Sequence, residues 1–300
     1  MKHTDSILVA VRENDLAVTL AAHYGKNLIT PRITTFADGE KELLFEDTTL
    51  FAGKKVVIVH PTCPPVAEEI ILITLLSNII RSAGCKDLVA LVPYLGYSRH
   101  TKMIMPQIPP VAEMIVHLLE ALPIDRFICV ELHDEKDQAF FTKPIEQVTV
   151  ESVLADYIKA KVTGDYCIVA PDSGAYERAQ KVAELLDKPV IAYSKQRVAA
   201  DTVTLGKVSD FSLHKKAVII DDIIDTGGTA MQAARDLKDR GIEEVYGCFV
   251  HGIFSKKENI PALFKQFNKI FVSNSVPVSL QDTIELEIFD ISKSLIPYLK

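Results

Sequence analysis

Short runs of aliphatic and β-branched residues recur along the chain, at Ile7–Val11, Val56–Val59, Leu88–Val92, Phe127–Val130, Cys167–Ala170, Val190–Ala192, Ala217–Ile220 and Val245–Val250. Segments with apolar positions at helical spacing separate most of them, and Ala230–Arg240 is predicted as one such helix. Strands that alternate with helices imply βαβ units and parallel sheets, which is an α/β fold.

One stretch of this pattern occurs twice. Lys54-Lys55 to Tyr97-Ser98 and Lys215-Lys216 to Phe254-Ser255 both read as two lysines, an apolar strand, a loop, an amphipathic helix, a glycine, a second strand, then an aromatic residue and serine. Gly84 and Gly241 stand where the end of a helix calls for a left-handed residue. The pattern reads as an internal duplication of an α/β domain, with a boundary near 145–150; two independent βαβ units that merely look alike are the alternative. At 300 residues the chain has room for two domains.

Composition narrows the function classes. A formal net charge of -7 speaks against nucleic acid or anionic lipid as partner, since both are held by clustered Lys and Arg. A small polyanion remains open if basic residues gather locally. The cysteines, Cys63, Cys85, Cys129, Cys167 and Cys248, lie far apart with no C-x-x-C pair, so they read as reduced core thiols of a cytoplasmic protein. Met1–Asp5 leads straight into an apolar strand without a signal-peptide pattern. The longest apolar stretch, Ile70–Ile80, is too short for a membrane span.

The two copies differ between strand and helix. The first has His60-Pro61-Thr62-Cys63-Pro64-Pro65, whose prolines remove backbone donors; the second has Asp221-Asp222-Ile223-Ile224-Asp225-Thr226-Gly227-Gly228-Thr229. In the second, backbone N–H groups from Asp225 to Thr229 can converge on a phosphate at a helix N-terminus. Two carboxylates beside an anion site make sense if the ligand also brings sugar hydroxyls or Mg²⁺. A phosphorylated ribose meets both demands. An acidic turn that only caps a helix is the plain alternative.

This segment resembles the ribose-phosphate loop of phosphoribosyltransferases and ribose-phosphate diphosphokinases. The duplicated layout is similar to the diphosphokinase (phosphoribosyl pyrophosphate synthetase) family, as are Phe36-Ala37-Asp38-Gly39-Glu40, Pro93–Arg99, Glu131-Leu132-His133, Pro171–Gly174, Lys195-Gln196-Arg197 and His251–Ser255. The resemblance implies two tandem phosphoribosyltransferase-like domains, each a mainly parallel sheet flanked by helices. They would be 1–147 without a phosphate loop and 148–300 with it, the last helix packing back on the first domain. It implies transfer of the β,γ-diphosphate of ATP to the C1 hydroxyl of ribose 5-phosphate. Asp221 and Asp222 would hold the ribose hydroxyls, and Asp225, Thr226, Gly227, Gly228 and Thr229 its phosphate. Phe36, Asp38, Glu40, Arg99 and His100 would hold ATP, with Phe36 and Glu40 reaching the adenine of a neighbouring subunit in a homo-oligomer. His133 and Asp172 would be the Mg²⁺ positions, and Lys195 and Arg197 the catalytic cations.

Taken alone, these residues have plainer readings. A histidine at a strand end is commonly structural, and imidazole is not a usual Mg²⁺ ligand. Lys195-Gln196-Arg197 reads as a solvated loop, and Asp38-Gly39 as a turn. No G-x-x-x-x-G-K-[S/T] or G-x-G-x-x-G occurs. The chain also departs from the family. Arg99-His100-Thr101-Lys102 replaces Arg-Gln-Asp-Arg/Lys, and Met103-Ile104-Met105-Pro106 carries no basic residue, so ATP should bind more weakly or the nucleotide differ. Gly174 is followed by Ala175 where the family has a second glycine. The segment 46–53 lacks a regulatory arginine, which speaks against control by ADP. A catalytically weak regulatory paralogue and a phosphoribosyltransferase are the alternative functions.

Overall fold

The computed structural model describes residues 6–103, 105, 107–193, 196–197, 203–204, 214–278, 280 and 285–299. The chain divides into two compact units. The first comprises Met1–Thr149, Ser275–Pro277 and Ile291–Lys300; the second comprises Val150–Asn274 and Val278–Asp290.

The first unit contains β1 (Ile7–Val9), α1 (Asp15–His23), β2 (Arg32–Thr35), β3 (Lys41–Leu44), β4 (Lys55–Val59), α2 (Val66–Ser82), β5 (Asp87–Val92), α3 (Val111–Glu120), β6 (Arg126–Val130) and β7 (Ile145–Val148). Its main sheet is wholly parallel, in the order β1-β4-β5-β6-β7, while β2 and β3 form a separate antiparallel hairpin. The strands are buried along nearly their whole length, as expected of a parallel sheet covered on both faces. The apolar stretch Ile70–Ile80 lies within α2, which buries Leu72, Ile73, Leu76 and Ile80 against β4 and β5 side chains such as Ile58, Leu88 and Ala90. Each such aliphatic side chain contributes about 1.5–3 kcal/mol on burial.

The second unit contains α4 (Glu151–Lys161), β8 (Cys167–Ala170), α5 (Tyr176–Leu186), β9 (Val190–Ala192), β10 (Gln196–Arg197), β11 (Val203–Thr204), β12 (Lys216–Ile224), α6 (Gly228–Asp239), β13 (Glu244–Gly252), α7 (Ile260–Phe264), β14 (Lys269–Ser273) and β15 (Leu286–Phe289). Its sheet is again parallel, in the order β15-β14-β13-β12-β8-β9, with β10 and β11 paired separately. The chain then returns to the first unit as α8 (Ser292–Leu295) and a final 3-10 turn. There the Tyr24 hydroxyl donates to the carbonyl of Ile296 at 3.2 Å and Arg126 donates to that of Tyr298 at 3.0 Å.

The two sheets match strand for strand. β1, β4, β5, β6 and β7 stand in the order of β8, β12, β13, β14 and β15, and an isolated bridge from Val9 to Ile29 occupies the place of β9. The likeness extends to single residues. Lys55 pairs with Asp87 as Lys216 pairs with Glu244. Gly84 and Gly241 both take left-handed φ, 86° and 95°, where no side chain would sit without strain. Tyr97 and Phe254 share the unusual φ values of 65° and 47°, at the matching point after the second strand. Independent βαβ units have no reason to repeat such backbone detail.

Candidate functional site

In an open parallel sheet, ligands bind beyond the carboxyl ends of the strands, where the strand order reverses. In the second unit that point lies between β8 and β12, because the chain leaves β8 for β9 on one side and re-enters beside β8 on the other. Asp172 follows β8, and Asp221 and Asp222 lie in β12. Sequence reasoning put both carboxylates in the loop after the strand; β12 instead continues to Ile224, because Asp221, Ile223 and Ile224 keep their register with β13. Asp221 Oδ accepts from the N–H of Asp222 and Asp222 Oδ from that of Ile223, both at 2.9 Å. Asp172 Oδ accepts from Gly174 N at 2.9 Å and Ala175 N at 3.3 Å, which fixes the turn into α5.

Burial, with the negative charges of Asp222 and then Asp172 alongside, holds the Asp221 carboxyl well above its ordinary value. The three acids are therefore close enough to repel one another. Such a site favours a cation or hydroxyl donors over a bare anion. Among the described residues no group of three His, Cys, Asp or Glu closes into a metal cage.

The loop that follows leads into the N-terminus of α6. Gly227 has φ 77°, and a Cβ there would lie 2.7 Å from Leu263 Cδ1, so only glycine fits. Gly227 is the N-cap of α6 and supplies no side-chain bond, leaving the first N–H groups of the helix to an outside acceptor. Gly228 and Thr229 are exposed in that first turn, two residues earlier than the helix start predicted from spacing. Asp225 is tied down by Ser255, whose N–H donates at 3.0 Å and whose hydroxyl also donates to the same carboxylate oxygen. The sequence marked His251–Ser255 as similar to the family but gave Ser255 no task; its clasp on the loop spans β13 and could not be read from spacing.

The same edge of the first unit is finished differently. Aligned by strand register, His60 stands where Asp221 stands and Arg12 where Asp172 stands. Glu69 accepts from Arg12 at 2.7 Å, and His60 Nε2 lies 3.2 Å from the Glu69 carboxylate and 2.9 Å from its backbone carbonyl. Burial opposes its ionisation, but His60 and Arg12 outweigh that and hold its carboxyl below the ordinary value. A cavity of about 220 Å³ remains there, walled by Pro61, Pro64 and Pro277. With its charges paired and its donors removed by proline, this edge offers no phosphate cradle.

The remaining predicted residues fall in the first unit or outside the description. Phe36, Asp38 and Glu40 form the exposed tip of the β2–β3 hairpin; Asp38 Oδ accepts from Glu40 N at 3.0 Å, so Asp38 makes the turn while Phe36, 49% exposed, projects from it. Arg99 and His100 are exposed beyond β5, and His133 is exposed beyond the adjacent β6. Arg197 has its backbone in β10, and nothing further of its side chain is described; Lys195 lies outside the described residues. All five cysteines are free, and burial pushes the thiols of Cys63, Cys129 and Cys167 up to about 11, 12 and 12. No described helix is long and apolar enough to cross a membrane.

Residues 6–122 match the N-terminal domain of ribose phosphate pyrophosphokinase, and residues 142–283 match the phosphoribosyl transferase domain. A ribose-phosphate pyrophosphokinase of Gloeobacter violaceus is 34% identical over 81% of this chain and 73% of its own length. One from Aquifex aeolicus is 30% identical over 95% of this chain and 92% of its own. The fold is that of the phosphoribosylpyrophosphate synthetase of Mycobacterium smegmatis, with a TM-score of 0.86 at 24% identity over 99% of this chain and 98% of that one. The chain therefore belongs to the ribose-phosphate pyrophosphokinase family.

Proposed function

We propose that this chain transfers the β,γ-diphosphate of ATP to the C1 hydroxyl of ribose 5-phosphate at the carboxyl edge of its second sheet. The observation that carries this reading is the juxtaposition there of an acid group, Asp172, Asp221 and Asp222, with a glycine-capped helix N-terminus. Asp221 and Asp222 accept hydrogen bonds from the sugar hydroxyls. The backbone from Asp225 to Thr229 holds the 5-phosphate, with Ser255 fixing the loop.

His133 in the first unit and Asp172 in the second would each be a Mg²⁺ position, and Mg²⁺ when bound supplies charge neutralisation on the transferred group. Arg99 and His100 contact the ATP phosphates, and the exposed Phe36 with Asp38 and Glu40 takes the adenine of a neighbouring subunit, giving a homo-oligomer with shared nucleotide sites. Lys195 and Arg197 stabilise charge on the bridging oxygen and leaving AMP during transfer. A cytoplasmic location is supported by the five free thiols.

The test is ³¹P spectroscopy of the purified chain with ATP, ribose 5-phosphate and Mg²⁺. Equal amounts of AMP and of a sugar 1-diphosphate are expected. Formation of ADP would mean transfer of a single phosphoryl group, and silence until a second protein is added would mean a regulatory paralogue.

A further inference from the structure

Asp137 is 1% exposed, and neither of its carboxylate oxygens has a hydrogen-bond partner. It sits in the 3-10 helix Glu135–Phe140, which follows β6 and the loop residue His133. Asp134 caps that turn, accepting from Lys136 N at 3.0 Å through its side chain and from Asp137 N at 2.9 Å through its carbonyl. The fold thus drives a carboxylate out of water and gives it no donor. Any apolar residue of similar size would remove that cost.

The charged groups near Asp137 are Asp134, which repels it, and His133, which attracts it. His133 is exposed, so its ring can turn at little cost. Imidazole that faces a metal ion typically donates its other ring N–H to a carboxylate, which fixes the ring and makes it a better ligand. That help matters most for a hard cation, which prefers oxygen to nitrogen.

We propose that Asp137 is a positioning residue for His133, its buried carboxylate accepting the imidazole N–H and aiming the opposite ring nitrogen at the cation of the diphosphoryl transfer. The inference rests on the reading of His133 as a cation position. It explains why an unpartnered acid is kept under the turn: the oxygens are reserved for the ring.

The test uses Mn²⁺ alone, without substrates, on the full chain and on Asp137→Leu, Asp137→Asn and His133→Ala. Electron paramagnetic resonance reads the affinity, ring ¹⁵N shifts of His133 read its orientation, and thermal melting reads stability. Asp137→Leu should weaken Mn²⁺ binding about tenfold and shift the His133 signals. It should also raise Tm, since a buried acid without partners is removed. Asp137→Asn, which keeps one acceptor oxygen, should fall between. In the His133→Ala background, Asp137→Leu should cause no further loss. Unchanged Mn²⁺ affinity in Asp137→Leu beside a clear loss in His133→Ala would overturn the inference, as would a lowered Tm in both Asp137 variants. Unchanged binding in His133→Ala would instead remove the cation reading beneath it.

Discussion

At Asp221 three effects act in one direction: burial, the adjoining charge of Asp222 and that of Asp172 all oppose ionisation. A carboxyl whose pKa is higher in the folded than in the unfolded chain favours the fold while protonated. That contribution is lost as pH rises through the raised value. From about pH 4, where a free aspartate ionises, upward, the acid group should therefore become a growing liability that a bound cation offsets. Melting curves with and without Mg²⁺ should show a larger rise in Tm at about pH 8 than at about pH 5. Replacing Asp222 with asparagine should shrink that difference, and an equal rise at both pH values would mean the cation binds elsewhere.

Among the elements, the edge strand β15 depends on one acid. Glu287 accepts from the Tyr157 hydroxyl at 3.0 Å and pairs with Lys161 at 2.6 Å, both on α4, and pairs with Lys269 on β14. The bonds from Lys161 and Lys269 bring its carboxyl down to about 2, against a smaller opposing effect of burial. A depressed acid stabilises the fold above its unfolded pKa and loses that effect as pH falls towards the folded one. Glu287→Gln should cost about 1–2 kcal/mol near neutral pH, discounted because both lysines are half exposed, and the gap from wild type should narrow below about pH 4. A pH-independent gap would point to packing instead. β15 and its partner β14 were also absent from the sequence reading. Lys269–Ser273 has only three apolar residues between polar ends and Leu286–Phe289 is interrupted by Glu287, so periodicity alone does not raise them above loops. The apolar runs within β4, β5, β6, β8, β12 and β13 were legible because burial on both faces favours apolar side chains along most of each strand. The loop after β12 stood out for another reason, since its glycines stand where the backbone turns into α6. The clasp of Ser255 on Asp225 and the burial of Asp137 did not, because each depends on which segments the fold brings together.

Across the whole molecule, one architecture is used twice with opposite chemistry at the matching edge: acids and glycines in the second unit, a paired Arg12–Glu69–His60 group and prolines in the first. The first unit also exposes the hairpin tip at Phe36. If that tip serves a neighbouring subunit, mixing Phe36→Ala with Lys195→Ala chains by co-refolding should restore part of the activity that each lacks. Hybrids without recovery would show that every site is built from a single chain. The central claim is that ribose 5-phosphate binds at the edge of the second sheet and not at its counterpart. Calorimetric titration of ribose 5-phosphate into wild type, Asp221→Asn and Arg12→Gln tests it most directly. Asp221→Asn loses the charge and one of the two acceptor oxygens that face the sugar hydroxyls, which should weaken binding by about 1–3 kcal/mol, roughly ten- to a hundredfold, while Arg12→Gln stays close to wild type. Full affinity in Asp221→Asn, with the loss in Arg12→Gln, would place the sugar at the edge of the first sheet and contradict the account.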